Sequence, residues 1–261
     1  MFELKALKPL ALVLATVMFL FVPLCAQEDE EECDQEPDTR VFSASFNSGD
    51  CVWINRYPPN KIKHPYWIME PGWQVVLEGD DDGEEVRLEM TVLDEIVVVD
   101  GVHTRVIEER EFIDGELYEV SRNFFAICSR TNDIYYFGED VDFYEDGEIV
   151  GHEGAWRAGV DGAVAGIIMP GTPMMGARFF QEIAPDAAED RAEIVHIGSV
   201  EVGDMTFDDA VEFLETSPLD GPCETSIKYF AHDIGMVRDD DLELVESGYV
   251  FRVDPDLPLK R

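Results

Sequence analysis

The sequence predicts a mainly β protein: an antiparallel meander curved into an open or partial barrel, with one or two short helices. Three observations carry this. Asp-Gly pairs recur at Asp82-Gly83, Asp100-Gly101, Asp114-Gly115, Asp146-Gly147, Asp161-Gly162 and Asp220-Gly221. Asp-Gly supplies the positive φ that tight hairpin turns need, and the pairs recur at intervals that fit a strand pair plus turn. Between them, Val86, Leu88, Met90 and Val92 alternate with Arg87, Glu89 and Thr91, the period-2 pattern of a half-buried strand. The remaining segments are rich in Val, Ile and aromatic residues, which suit a pleated surface.

The elements follow in order. Lys5 and Lys8 precede an apolar run from Leu10 to Leu24, followed by Cys25 and Ala26. That is the layout of an export signal over residues 1–26, and the run is shorter than the roughly 20 residues of a spanning helix. No transmembrane span is expected in the mature chain. Cys25 is a candidate lipid anchor, so cleavage and lipidation both stay open. Residues 27–41 form an acidic, disordered tether, because they hold almost no apolar content to bury. Residues 42–261 form a single β-rich domain. Ile96 to Val99 is an unbroken β-branched run and should be deeply covered. Glu116–Ile127, Ile134–Phe137, Val141–Tyr144, Arg178–Ile183, Thr225–Ala231 and Leu242–Val253 read as further strands. Ala187–Ile197 mixes helical and strand character. Residues 206–216 are evenly balanced: Phe207, Ala210, Val211 and Leu214 have helical spacing with Thr206 as a cap, yet the stretch also reads as a strand.

The chain carries 57 Asp and Glu against 19 Lys and Arg, a formal charge of -38. A nucleic-acid partner is excluded, because phosphate needs a basic footprint. The acid excess is dispersed and lysine is scarce, the composition of a protein adapted to a salty medium. Past the signal stand Cys33, Cys51, Cys128 and Cys223. An even number in an exported chain points to disulfides. Of three connectivities, Cys33 with Cys51 and Cys128 with Cys223 is the simplest. Export places the protein in the periplasm, on the cell surface or outside the cell.

The stretch from Ile134 to Glu182 is distinctive. It contains Tyr136-Phe137-Gly138-Glu139, an acidic-Gly turn, Glu153-Gly154 before Trp156, Ala158-Gly159, Asp161-Gly162-Ala163 and Gly166-Ile167-Ile168-Met169-Pro170. Pro71-Gly72-Trp73, Ala188-Glu189-Asp190, Lys228-Tyr229-Phe230-Ala231 and Ile234-Gly235-Met236-Val237 extend the pattern. It resembles a group of uncharacterised secreted bacterial proteins over most of residues 64–238. The resemblance implies a shared β-rich fold and export. It implies no reaction.

Asp142 to Glu153 can be laid on an EF-hand calcium loop, with Asp142, Asp146, Gly147, Ile149 and Glu153 in register. Tyr144 stands where an oxygen donor belongs, and the flanks read as strands, so a hairpin explains the segment better. Asp140, Asp142, Asp146 and Glu153 are therefore candidate weak calcium ligands. Glu78 to Glu89 is a poorer match. The histidines, His64, His103, His152, His196 and His232, show no metal-pair spacing. His152, Glu153 and Asp161 are the candidate catalytic residues of a loop-assembled hydrolase near Asp142, although no G-x-S-x-G elbow exists. Met169, Met174 and Met175 fit loop packing better than copper binding. No phosphate-cradling motif is present, and no cofactor is expected. Trp53, Trp67, Trp73 and Trp156 suit core, rim or cleft. The favoured function is a non-enzymatic envelope or extracellular protein that binds an apolar small molecule or a partner protein in its concave face; the alternatives are the hydrolase and weak calcium binding.

Overall fold

A computed structural model describes residues 40–44, 51–54, 64–81, 83–219 and 224–251. The expected signal, Cys25, Cys33, Cys223, Asp82 and the Asp220-Gly221 turn lie outside the described residues, as does the tether up to residue 39.

The turn chemistry sets the architecture. Asp100, Asp114, Asp146 and Asp161 have φ of 47°, 51°, 53° and 49°, each followed by a glycine at positive φ. Both central residues are left-handed, as two-residue hairpins require. The strands between the turns are β1 (Trp53–Ile54), β2 (Trp73–Asp81), β3 (Glu84–Val99), β4 (Val102–Ile113), β5 (Glu116–Cys128), β6 (Ile134–Glu145), β7 (Glu148–Gly151), β8 (Trp156–Arg157) and β9 (Val164–Met169). They continue as β10 (Arg178–Phe180), β11 (Glu182–Ile183), β12 (Arg191–Val202), β13 (Met205–Thr216), β14 (Ser226–Ala231), β15 (Gly235–Asp239) and β16 (Leu242–Tyr249).

All ladders between these strands are antiparallel. The main path runs β10-β12-β13-β14-β15-β16-β2-β3-β4-β5-β6-β9-β11, with β1 on β5 and β7 and β8 on β6. The two ends of this path, β10 and β11, are consecutive in the chain, separated only by Gln181. The sheet therefore curls into a nearly closed barrel with one unsealed seam. Gly166 of β9 lies so close to this junction that an added Cβ would sit 2.4 Å from the Gln181 carbonyl oxygen. Only glycine permits that approach.

The alternation in β3 is as expected: Val86, Leu88, Met90 and Val92 are buried and the residues between them are half-exposed. Three expectations are corrected and one open choice is decided. Among the described residues there is no helix. The balanced segment is strand β13, paired on one side with β12 and on the other with β14. Ala210 and Val211 are both fully buried, so the strand is covered on both faces there. Consecutive buried residues are what imitate helical spacing. Ile96 to Val99 is not deeply covered, since Val98 is 59% exposed. The run follows an irregularity between Val92 and Ile96 and ends at the Asp100-Gly101 hairpin tip, beyond the packed centre. The simplest cysteine pairing is also overturned: Cys51 is bonded to Cys128. β1 places Trp53 opposite Cys128, and the Ser129 N–H donates to the Val52 carbonyl, which brings the Cys51 backbone alongside.

The core is continuous around the barrel. Trp67, Phe125, Tyr136 and Trp156 form successive ring contacts at 5.1, 4.9 and 5.2 Å, and Phe230 joins Trp67 to Phe213. The described strands belong to one compact unit, residues 35–261. No helix among the described residues is long and apolar enough to cross a membrane.

A candidate binding site inside the barrel

Inward positions of the strands are not uniformly apolar. β4 contributes Glu109, and β5 contributes Glu119, Ser121, Asn123 and Phe125, the alternate residues of one face. β6 contributes Tyr136 and Glu139, which an unbroken strand would point oppositely. A bulge reconciles them: Phe125 faces Tyr136 and Asn123 faces Glu139, with one extra residue on β6. Gly138, at φ 129°, sits in this bulge, and an added Cβ there would strike the Trp156 carbonyl at 2.3 Å. Gln181 and Glu182 enter from the seam, Glu215 from β13, Lys228 from β14 and Asp239 from β15.

Together with Asp190 these residues surround a cavity of about 220 Å³. Trp67, Phe125, Tyr136 and Phe230 give its lining an aromatic component. Lys228 is the one cationic residue lining it. Its Nζ lies 3.1 Å from Glu215 Oε2 and 3.7 Å from Asp239 Oδ2. The side chain is 27% exposed, and the surface it exposes lines this cavity and its mouth. Gln181 Nε2 donates to Glu215 Oε1 at 2.6 Å, and the Asp190 N–H donates to Glu182 Oε1 at 2.6 Å. The Tyr136 hydroxyl donates to Asn123 Oδ1 at 2.6 Å. A second cavity of about 340 Å³ shares Asp190, Glu215 and Lys228 and continues outward past Thr216, Ser217, Glu224 and Asp240. It forms an acidic mouth.

Enclosure sets the protonation of these groups, since removal from water disfavours a carboxylate. Burial pushes Glu109 up to about 8 and Glu139 up to about 7. Glu182 is raised well above the ordinary carboxyl range by burial and by Asp190. Glu119 is raised by burial and by Glu111, and Asp239 by burial against the pull of Lys228. Burial alone would lower Lys228, but Asp239, Glu215 and Glu109 outweigh it and hold the ammonium well above its usual range. Glu109 is half-buried on the cavity wall and makes no hydrogen bond or ion pair among the described residues.

The sequence-predicted site residues lie elsewhere. Asp146 and Gly147 are the two turn residues of the β6–β7 hairpin, with Glu145 opposite Glu148. Asp140 receives Arg157 Nη2 at 2.7 Å through both oxygens. Asp142 lies 3.4 Å from Arg122 and 3.0 Å from His152 Nδ1. Glu153 folds back on Gly151. No group of three or more His, Cys, Asp or Glu is poised to hold a metal ion among the described residues. His152 is 66% exposed and faces the Val141 carbonyl as well as Asp142. Asp161 occupies its own turn and makes no hydrogen bond or ion pair with His152 or Glu153 among the described residues. His64 is fully buried, between the Tyr66 N–H and the Pro170 carbonyl, and burial pulls it down to about 4. Met169 is buried, while Met174 and Met175 are exposed.

Sequence reasoning missed the whole interior cluster. One signal was present: Lys228 is the only lysine between residues 64 and 259, and it falls mid-strand. No family model, no curated protein and no solved structure matches this chain.

Proposed function

We propose that this chain is an exported, non-enzymatic binding protein whose barrel interior holds a small polar guest. The observation that carries the reading is the roomy cavity in which the Glu109 carboxyl makes no hydrogen bond or ion pair among the described residues, Lys228 acting on it only from beyond ion-pair distance. A buried carboxyl without a hydrogen bond is costly unless water or a ligand meets it. The signal-like first 26 residues, the Cys51–Cys128 bond and the resemblance to secreted proteins support export. The dispersed acid supports adaptation to a salty medium. A polar guest fits better than an apolar one, because the apolar cavity beside Trp73, Val75 and Met236 measures only about 30 Å³. That is room for about two waters.

Native mass spectrometry of protein purified from its own host tests this reading. The expected result is a small molecule bound one to one and lost on denaturation. A ligand-free mass, together with no thermal stabilisation by any small polar compound, overturns it. A second reading rests on the protonated carboxyls: Glu109 near 8 and Glu139 near 7 have the proton affinity of a general acid at neutral pH. Catalytic conversion of the bound molecule, rather than its recovery unchanged, would select that reading.

A further inference from the structure

We propose that the guest is a small organic ammonium ion, its charge received by Glu109 and its carbon skeleton laid against the aromatic wall of Trp67, Phe125 and Phe230. This rests on the binding role above and names its ligand class. Three independent observations lead to it. First, charge is unbalanced within the cavity: seven carboxyl groups line it against one cation, and that cation, Lys228, is committed to Glu215 and Asp239 on one side. Glu109 is half-buried, lines the cavity and has neither a hydrogen bond nor an ion pair among the described residues, Lys228 acting on it only from beyond ion-pair distance. Second, aromatic side chains share the lining with the carboxyls, and aromatic faces attract cations and cover hydrocarbon. A bare divalent ion would ask for six or more oxygens at about 2.3–2.6 Å, and no such convergence exists among the described residues. Third, the outer mouth carries Asp190, Glu215, Glu224 and Asp240, a field that draws cations inward.

Binding has a proton balance. At neutral pH the Glu109 carboxyl holds its proton. An arriving ammonium favours the carboxylate, so the O–H bond breaks, the proton passes to bulk buffer, and the ammonium replaces it as the counter-charge. No electron moves and no other covalent bond changes.

Titration calorimetry of the full chain with n-butylammonium chloride tests the proposal, with butan-1-ol as the neutral probe of equal chain length. Each is measured at pH 7 in two buffers of different ionisation enthalpy. The expected result is that butylammonium binds at least tenfold more tightly than butanol, with a buffer-dependent enthalpy that reports proton release. Glu109→Gln should lose about tenfold for the ammonium and lose the proton release. Glu119→Gln serves as a second variant should the first fail to fold. Butanol binding as tightly as butylammonium, or a folded Glu109→Gln that binds unchanged, overturns the ammonium inference and leaves the cavity reading standing. If neither probe binds, the ammonium inference falls, and the host-purified mass separately decides the cavity reading.

Discussion

Acid is placed in two very different ways in this molecule. On the outer face of β6, Asp140 and Asp142 meet Arg157, Arg122 and His152 in water, and Asp146 turns the hairpin. Between β2 and β3, Arg87 pairs with Glu78 and Glu89, and between β5 and β4 Arg122 pairs with Glu108. Inside the barrel, Glu109, Glu119, Glu139 and Glu182 meet no guanidinium among the residues lining the cavity, and Lys228 answers them alone. The outer acids are paired or solvated, so their energetic weight is small. The inner acids Glu109, Glu119, Glu139 and Glu182 are raised by burial. The same residue type thus makes surface in one place and a chemically unusual cavity in the other.

The largest effect that sharpens this contrast is expected from Lys228→Met. Removing the lone cation leaves Glu215 and Asp239 enclosed without it, and urea unfolding at pH 8 should show a loss of about 3–5 kcal/mol. The loss should shrink at pH 5, where neighbouring carboxyls take protons. Arg122→Gln on the outer face should cost less than about 1 kcal/mol. Equal losses would erase the distinction between the two regions.

The pH profile comes next. Glu109 near 8 and Glu139 near 7 lie above their ordinary 4.5, so between those limits the folded chain holds protons the unfolded chain has shed. Stability should therefore fall as pH rises from about 5 to 8. Glu111, Glu119, Glu182 and Asp239, raised by the same burial, push in that direction. His64 acts oppositely: held near 4 against an ordinary 6.5, it withdraws stability as pH falls between those values. Melting temperature should peak near pH 5–6 and decline by several degrees at pH 8, and Glu109→Gln should flatten the upper limb. A profile rising from pH 6 to 8 would contradict the inner protonation.

Monovalent salt should act mainly on the outer region. Potassium chloride raised from low to molar concentration should lift the melting temperature, because a charge of -38 repels itself and salt screens exposed acids more than enclosed ones. A flat response would remove the salt-adaptation reading. The smallest effect is expected at the hairpin tip. Asp146→Asn should change stability by less than about 0.5 kcal/mol, since Asn tolerates the same left-handed backbone. A calcium-specific rise in melting temperature, abolished by Asp142→Asn, would move the site outward to β6.

Much of the fold was legible because it is written locally. Asp-Gly pairs force left-handed turns, and the alternation from Val86 to Val92 fixes which face of β3 is inside. The interior site was not legible, and the reasons are specific. Glu139 faces inward only because of the bulge at Gly138, which shifts its parity against Tyr136. Glu182 is buried because the seam folds Gln181 and its neighbours into the barrel. Glu109 reads in sequence as one more acid in Ile107-Glu108-Glu109-Arg110, where Glu108 and Arg110 face outward and pair. The acids that drew attention, Asp142 to Glu153, are close in sequence, and a two-residue hairpin accounts for their spacing.

The sequence by itself determined the strands, the turns and the acid excess, since each depends on a residue and its near neighbours. It also placed Lys228 alone amid a strand, without saying what surrounds it. Only the tertiary structure decided that Cys51 meets Cys128 and that strands far apart in the chain close around one cavity. That closure takes carboxyls from β4, β5, β6, β13 and β15 out of water together. The raised proton affinity of Glu109, Glu119, Glu139 and Asp239 arises from shared desolvation, which no single stretch of sequence contains.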